Sequence, residues 1–200
     1  MTTVVLPRAK YWGLPRRIAL GGLMGSGKTT TAGLLVEQGY TPLAFADEIR
    51  RWLEPAHGTI EKGTFYPITD AKGEPGFMTG RELLQRFGAA ARAIDLDIII
   101  RAMRATIDDL DRRNPDARLV IHDLRTPREA EMLKVAGFEV VVLQAPEGTR
   151  KERTGNAWND RYDLTETPLV GYPSIRTDAR TPVQVLDDIA AALKGNAWQG

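Results

Sequence analysis

The chain of 200 residues contains no cysteine, so disulfide bonds, thiolate-ligated metals and a cysteine nucleophile are excluded. Its two histidines, His57 and His122, are too few for a histidine-rich metal site. The apolar runs are a few residues long, far short of the ~20 residues that a helix needs to cross a bilayer. No membrane partner is therefore predicted. Residues 1–15 lack the apolar core of a signal peptide and are expected to be a leader before the first strand.

The sequence also lacks an excess of charge of either sign. The 27 Lys and Arg residues are offset by 26 Asp and Glu residues, which leaves a net charge of +1. A protein held to nucleic acid through phosphate contacts usually carries a larger basic excess, so a general role in binding nucleic acid is not expected. The hydrophobic fraction of 42% is enough for one domain with a full core, and we interpret residues 1–200 as a single domain.

One motif with a defined chemistry is present. Residues 22–29 match the phosphate-loop pattern G-x-x-x-x-G-K-[ST] in full. Glycines allow several N–H groups to converge on a phosphate, and the helix that begins near Lys28 adds its positive dipole end. Lys28 is expected to reach the β- and γ-phosphates of ATP, and the Thr29 hydroxyl to hold Mg²⁺. The residues expected to bind ATP are Gly22, Gly25, Ser26, Gly27, Lys28, Thr29 and Thr30.

Around this loop, short apolar runs alternate with segments of helical periodicity. Strands are predicted at residues 17–20, 41–46, 118–122, 138–143 and, as a short last strand, within 171–176. Helices are predicted at residues 29–38, 48–53, 80–94, 95–113, 127–136 and 181–193. This alternation is typical of a parallel sheet covered on both faces. The fold class predicted is α/β, a three-layer P-loop NTPase fold with a parallel sheet of about five strands and helices on both faces.

Residues 54–78 interrupt the pattern. They are rich in glycine and proline and have few periodic apolar positions. This composition predicts a long loop or irregular insert, and loops of that length in compact domains are often functional. We expect the insert to shape the acceptor side of the site.

The segment that follows the second predicted strand contains two residues, Asp47 and Arg51, that are candidates for contact with an acceptor. Asp47 is expected at the carboxyl edge of the sheet, where a carboxylate orients an acceptor or helps to hold Mg²⁺. Arg51 lies four residues further on, on the same helical face, and is suited to grip an acceptor phosphate. Alternatively, Asp47 is a helix N-cap and Arg51 belongs to a solvated face. The two interpretations are compatible.

Four segments carry a resemblance to a known family. They are GLMGSGKTT at 22–30, FADEIRR at 45–51, GRELLQRFG at 80–88 with Arg92 after it, and VIHDLRTPREAE at 120–131. Together they resemble the bacteriophage-type deoxynucleoside monophosphate kinases over roughly residues 16–145, with dephospho-CoA kinase as a more distant look-alike. The resemblance implies an ATP- and Mg²⁺-dependent phosphotransferase in the cytoplasm, the host cytoplasm if a phage encodes it.

The resemblance also implies residue roles on the acceptor side. Arg81, Gln85 and Arg92 would line the pocket for the acceptor nucleotide. Considered without the family, Gln85 is able to hydrogen-bond a base edge, or it is simply a polar position on a helix.

Two further residues with implied roles lie at the third predicted strand. The resemblance puts Asp123 and Arg125 at the end of that strand, with Asp123 near the metal and Arg125 near the substrate phosphates. Because Asp123 follows an apolar run, it also fits the strand-tip position that holds Mg²⁺ in P-loop proteins. The alternative is a turn residue or a partner for Arg125. The sequence departs from the family at Thr126, where an aromatic is usual, and at Arg128, where Asn is usual.

An arginine-rich segment, 146–163, follows the fourth predicted strand. It contains Arg150, Lys151, Arg153 and Arg161, and we interpret it as a lid. Cations that arrive when a site closes stabilise the charge of a phosphoryl group in transfer, and closure excludes water. The alternative is a solvated charged helix. The candidate catalytic residues are Lys28, Asp47, Arg150 and Arg153.

These observations predict a kinase that transfers the γ-phosphoryl of ATP to a (deoxy)nucleoside monophosphate, a small-molecule substrate. One alternative is a P-loop kinase of another acceptor, such as dephospho-CoA or a hydroxymethyl-pyrimidine in a nucleotide or in DNA. Another is a non-catalytic ATP-binding switch, and a third is a DNA-binding ATPase, which the small net charge disfavours. Basic residues at 51, 81 and 92 favour an enzyme, because a switch needs no second phosphate site. The sequence leaves open which base and sugar are accepted and whether the protein forms a homodimer.

Overall fold

The computed structural model describes residues 11–155 and 169–194, without the side chain of Lys194. The strands are β1 (Arg17–Gly21), β2 (Tyr40–Leu43), β3 (Phe65–Thr69), β4 (Pro75–Thr79), β5 (Arg118–Leu124), β6 (Glu139–Gln144) and β7 (Ser174–Arg176). The helices are α1 (Lys28–Glu37), α2 (Phe45–His57), α3 (Gly80–Ile94), α4 (Ile98–Arg113), α5 (Pro127–Val135), α6 (Glu147–Thr154) and α7 (Pro182–Lys194). No helix among these is long and apolar enough to span a membrane.

Five strands form one parallel sheet in the order β2-β5-β1-β6-β7. Strand β1 is central, so that Ile18 lies opposite Val120 on one side and Glu139 on the other. Because all five strands run the same way, their carboxyl ends meet at one edge, and β1 continues from that edge into the P-loop. The α/β fold class predicted from the sequence is therefore confirmed.

Both faces of this sheet are buried, as expected for parallel strands. Alternate strand residues point to opposite faces, and Ile18, Leu20 and Val141 pack in one apolar cluster with helices α1 and α7. The intervening residues Ala19 and Leu119 are equally buried, on the other face. Helix α5 packs against β6 and contributes fully buried apolar side chains, Ala130 and Leu133.

The chain divides into two compact units. The predicted insert at residues 54–78 lies within the second of them, which is considerably longer. The first unit contains the parallel sheet and comprises the described residues up to Leu43 and from Asp109 onward. The second unit is Ala44–Asp108, and it contains α2, the β3–β4 pair, α3 and most of α4. Within the second unit, α3 begins at a capping box in which Thr79 and Glu82 satisfy each other's backbone N–H groups.

The prediction of an irregular segment at residues 54–78 is wrong in most of its length. Helix α2 extends to His57, and β3 and β4 form an antiparallel hairpin in which Tyr66 lies opposite Met78. The Asp70 carboxylate accepts hydrogen bonds from two backbone N–H groups of the hairpin turn. Proline and glycine mask the strand pattern, because both residues are usually rare inside strands.

Three element boundaries also differ from the prediction. Residues 45 and 46 belong to helix α2 and not to the second strand. Residues 95–97 separate α3 from α4, because Asp95 ends α3 in an extended conformation with φ −150°. Strand β5 runs on to Leu124, so Asp123 lies within the strand.

Helix α5 provides a test of the core. Leu133 is 0% exposed, whereas Val135, on the same helix, is 81% exposed. We expect Leu133→Ala to lower the free energy of unfolding by about 2–5 kcal/mol, because it leaves a cavity in the core. Val135→Ala should change it by less than about 0.5 kcal/mol. Urea unfolding of both variants measures this, and similar losses in the two would contradict the packing described.

Candidate phosphate-binding site

The P-loop joins the central strand β1 to helix α1. Its backbone has positive φ at three glycines, with 126° at Gly22, 79° at Gly25 and 99° at Gly27. Glycine is the residue that adopts such angles without steric cost. Gly27 is the N-cap of α1, and no side chain forms a capping hydrogen bond there. The loop therefore turns tightly and leaves the amino end of α1 without a side-chain cap.

The same loop packs directly on neighbouring backbone. A Cβ atom added at Gly22 would overlap the carbonyl oxygen of Leu143 in β6 and would lie 2.8 Å from Ser26 Oγ. A Cβ at Gly25 would lie 2.8 Å from the carbonyl oxygen of Arg150 in α6. At both positions a larger residue would displace main chain, so two of the motif's glycines are required by packing as well as by φ.

The polar groups of the loop match the chemistry of a phosphate chain. Lys28 Nζ donates to the carbonyl oxygens of Gly22 and Leu23, the latter at 2.9 Å, which holds the ammonium over the loop. Thr29 and Thr30 are exposed in the first turn of α1. Ser26 is 1% exposed, and its Oγ has no hydrogen-bond partner among the residues that the structure describes. A cation, hydroxyls and a helix amino end suit a polyphosphate with Mg²⁺.

Both arginines of the predicted lid that fall on α6 contact the P-loop. Arg150 is 4% exposed, and its Nη1 donates to the carbonyl oxygen of Met24 at 3.3 Å. Arg153 Nη1 donates to the carbonyl oxygen of Gly25 at 3.3 Å. Lys151 instead pairs with Glu147 on the surface at 2.6 Å. Arg161 and the lid residues from 156 on lie outside the described residues.

Asp123 and Arg125 lie at the carboxyl end of β5, where Leu124 is opposite Gly21 of β1. The backbone N–H of Arg125 donates to Glu129 Oε2 at 2.8 Å, and Glu129 is 3% exposed. Glu129 also completes a capping box with Thr126 at the start of α5. Sequence reasoning missed this orienting residue, although the spacing T-x-x-E at 126–129 signals it.

Metal binding here would rely on few protein ligands. The described residues contain no group of three or more His, Asp or Glu side chains that could hold a metal ion. Mg²⁺ in phosphate sites usually binds one or two protein groups and takes its other ligands from phosphate and water. The prediction that Thr29 and Asp123 hold Mg²⁺ requires no more protein ligands than that mode of binding uses.

A cavity of about 680 Å³ opens beside the P-loop within the first unit. Its walls are largely apolar, and they include Gly22, Leu23, Arg125, Arg150, Tyr172 and Arg176. Volumes of 300–1,000 Å³ are typical of small-molecule sites. Hydrogen bonds from the guanidinium of Arg176, one of the lining residues, lower the pKa of Asp178.

The second unit carries the other predicted site residues. Asp47 lies in the first turn of α2 and pairs with Arg50. Ala44 is the N-cap of α2, so the alternative reading of Asp47 as an N-cap is wrong: the helix begins earlier than the sequence suggested. Arg51 Nη1 donates to Glu48 Oε2 at 2.6 Å and to Thr106 Oγ1 at 2.8 Å.

Helix α3 carries the remaining three predicted acceptor residues. Arg81, Gln85 and Arg92 are all partly buried. Their spacing of four and then seven residues places them on one face of the helix. Gly88 is on that face too, where a Cβ would lie 2.8 Å from Ile49 Cδ1 of α2 and 3.3 Å from Arg92 Nη1. The three side chains therefore share one face of α3, and their binding of an acceptor stays a prediction.

A parallel sheet whose central strand ends in a P-loop defines the class of P-loop nucleotide-binding proteins. A family model described as an AAA domain matches residues 18–166, well over half of the chain. The chain belongs to this AAA domain family.

Individual proteins are similar as well. A protein of Acanthamoeba polyphaga mimivirus, provisionally named deoxynucleotide monophosphate kinase, is 29% identical over an alignment of 143 residues that covers 64% of this chain and 74% of that protein. The shikimate kinase from Acinetobacter baumannii in complex with shikimate is 19% identical and covers 96% of this chain and 100% of its own, with a TM-score of 0.53. TT1252 from Thermus thermophilus is 18% identical, with coverages of 92% and 99% and a TM-score of 0.57. The two solved structures support the fold.

The packing at Gly25 yields a prediction. Gly25→Ala should weaken binding of ATP about tenfold or more, because a left-handed alanine costs about 1–2 kcal/mol and its methyl group meets the backbone of Arg150. Gly33→Ala is the matched control, since Gly33 lies inside α1 with nothing within 4 Å of its added Cβ. Isothermal titration with ATP measures both variants. Equal affinities in Gly25→Ala and the wild type would refute the close packing.

Proposed function

We propose that this protein is a kinase that transfers the γ-phosphoryl group of ATP to a (deoxy)nucleoside monophosphate and releases the diphosphate. The observation that carries the proposal is the P-loop itself, with Lys28 held over it and Thr29 exposed at the amino end of α1. The similarity to the mimivirus protein supports the acceptor class. The kinase fold of the shikimate enzyme supports the architecture.

The first unit supplies the groups that would act on the transferred phosphoryl. Lys28 would neutralise charge on the β- and γ-phosphates, and the amino end of α1 would add its positive dipole. Arg150 and Arg153 lie against the same loop through α6 and would add positive charge near the phosphates. Mg²⁺, when bound, offsets phosphate charge. Thr29 and Asp123 are the residues that would hold it.

The second unit offers the groups that would hold the acceptor. Arg81 and Arg92 would bind the monophosphate through charge-assisted hydrogen bonds, and Gln85, between them on the same face of α3, would contact the base. Arg51 would grip the acceptor phosphate, and Asp47 would orient the acceptor for transfer. Such a reaction needs little covalent chemistry from the protein, so positioning and charge account for most of the rate.

The central test is an ADP-release assay with ATP, Mg²⁺ and a panel of ribo- and deoxynucleoside monophosphates. We expect release that depends on one or more monophosphates. Lys28→Ala should lose about a hundredfold to a thousandfold of it, because a preorganised charge at the reacting phosphate is removed. The control is Arg113→Ala, which removes one positive charge from an exposed pair with Asp109. If the protein binds ATP but releases no ADP in response to any monophosphate, the nucleotide-kinase proposal is wrong.

A second test separates the two substrates. Arg81→Ala and Arg92→Ala should each raise the KM for the monophosphate about ten- to a hundredfold, because a charge-assisted hydrogen bond is lost, and should leave the KM for ATP unchanged. Arg86→Ala is the matched control, since Arg86 is exposed on a different face of the same helix. Steady-state kinetics in both substrates give the answer. A rise of the same size in Arg86→Ala, or in the KM for ATP, would contradict the assignment.

A further inference from the structure

One residue far from the P-loop in sequence contacts its backbone. Thr177 follows strand β7 directly and is 3% exposed. Its Oγ1 donates to the carbonyl oxygen of Ser26 at 2.9 Å and lies 3.3 Å from the carbonyl oxygen of Gln144, at the end of β6. The same oxygen accepts a hydrogen bond from Arg153 Nη1 at 2.9 Å. A single buried hydroxyl therefore joins the P-loop, the end of β6 and helix α6.

The backbone of Thr177 strengthens this junction. Its N–H donates to the carbonyl oxygen of Gln144 at 2.8 Å, and its own carbonyl oxygen accepts from Arg153 Nη2 at 2.7 Å. Two residues later, Ala179 has φ +53°, which L-residues rarely adopt and which persists only where surrounding contacts hold it. The hydrogen bonds of the Thr177 backbone and side chain together fix the orientation of its hydroxyl.

We propose that Thr177 is a positioning residue of the phosphate site, an inference that rests on the proposed function. In a trans peptide the carbonyl of one residue and the N–H of the next point in opposite directions. By holding the Ser26 carbonyl, Thr177 fixes the direction of the Gly27 N–H at the start of α1. Through Arg153 it also fixes the side chain that contacts the Gly25 carbonyl. Thr177 thus aligns the P-loop donors before phosphate binds.

The experiment compares Thr177→Val, which keeps the shape and removes the hydroxyl, with Thr177→Ser, which keeps the hydroxyl. The dissociation constants for Mg-ATP and for inorganic tripolyphosphate are measured by isothermal titration. Thr177→Val should weaken binding of both ligands about three- to tenfold, the usual effect of one lost hydrogen bond. Thr177→Ser should stay within about twofold of the wild type. Tripolyphosphate has no base or sugar, so its loss of affinity reports on the P-loop alone.

Thr181→Val is the matched control. Thr181 lies on the same loop, and its exposed hydroxyl accepts from the Gln184 N–H at 3.3 Å at the start of α7. This variant should lose thermal stability because a helix cap is removed, while both dissociation constants stay unchanged.

Two results would overturn the inference. If Thr177→Val lowers only the melting temperature and binds both ligands normally, the role of Thr177 is purely structural. If it weakens ATP binding and leaves tripolyphosphate binding intact, Thr177 acts on the nucleoside. Failure of the proposed function gives a different result, in which the wild type binds tripolyphosphate with the expected dependence on Thr177 but transfers phosphate to no monophosphate.

Discussion

The contact between the P-loop and the end of strand β6 is the constraint on which the site depends. At Gly22 the two main chains approach so closely that a methyl group would overlap the Leu143 carbonyl oxygen. This approach is possible because β1 is the central strand, paired with β6 in regular register on one side and with β5 on the other, where the register shifts between Ala19 and Gly21. The strand order therefore brings the loop between two strand ends, and the absence of side chains at its three glycines lets the backbone polar groups converge.

Hydrogen bonds also hold the carbonyl groups on the outer side of the P-loop, the side that faces α6 and Thr177. Three consecutive carbonyls, those of Met24, Gly25 and Ser26, accept hydrogen bonds from Arg150, Arg153 and Thr177 in turn. Because each trans peptide points its N–H away from its carbonyl, bonds on the outer side also restrict where the N–H groups can point. If the proposed function is correct, the arginines of α6 would act on a phosphate ligand in two ways. They would contribute positive charge, and they would orient the neutral N–H donors of the loop.

How well the sequence predicts each part depends on whether the determining contacts are local. Strands β1 and β6 are apolar runs, and the start of α3 is a capping box, so nearby residues are enough to predict them. The β3–β4 hairpin was missed because Pro67, Gly76 and Pro75 hide the alternation of its strands. Thr177 could not be found at all by local reasoning, since it bonds to a residue 151 positions away. The P-loop itself was found because its chemistry lies within eight consecutive residues.

In the second unit, the buried side chain of Glu48 restricts the orientation of the Arg51 guanidinium. Glu48 is 4% exposed, and its two oxygens accept hydrogen bonds from Arg51 and from Thr106. A carboxylate in such a place needs a partner, because an unpaired buried charge is strongly destabilising. Arg51 Nη1 serves that need and also bonds to Thr106, which occupies both of its hydrogens. Binding of an acceptor phosphate by Arg51 would therefore use Nη2 and Nε, and Glu48 would hold the guanidinium plane in a fixed orientation for it. The arginine chosen from sequence for its charge is thus also one whose geometry the fold restricts.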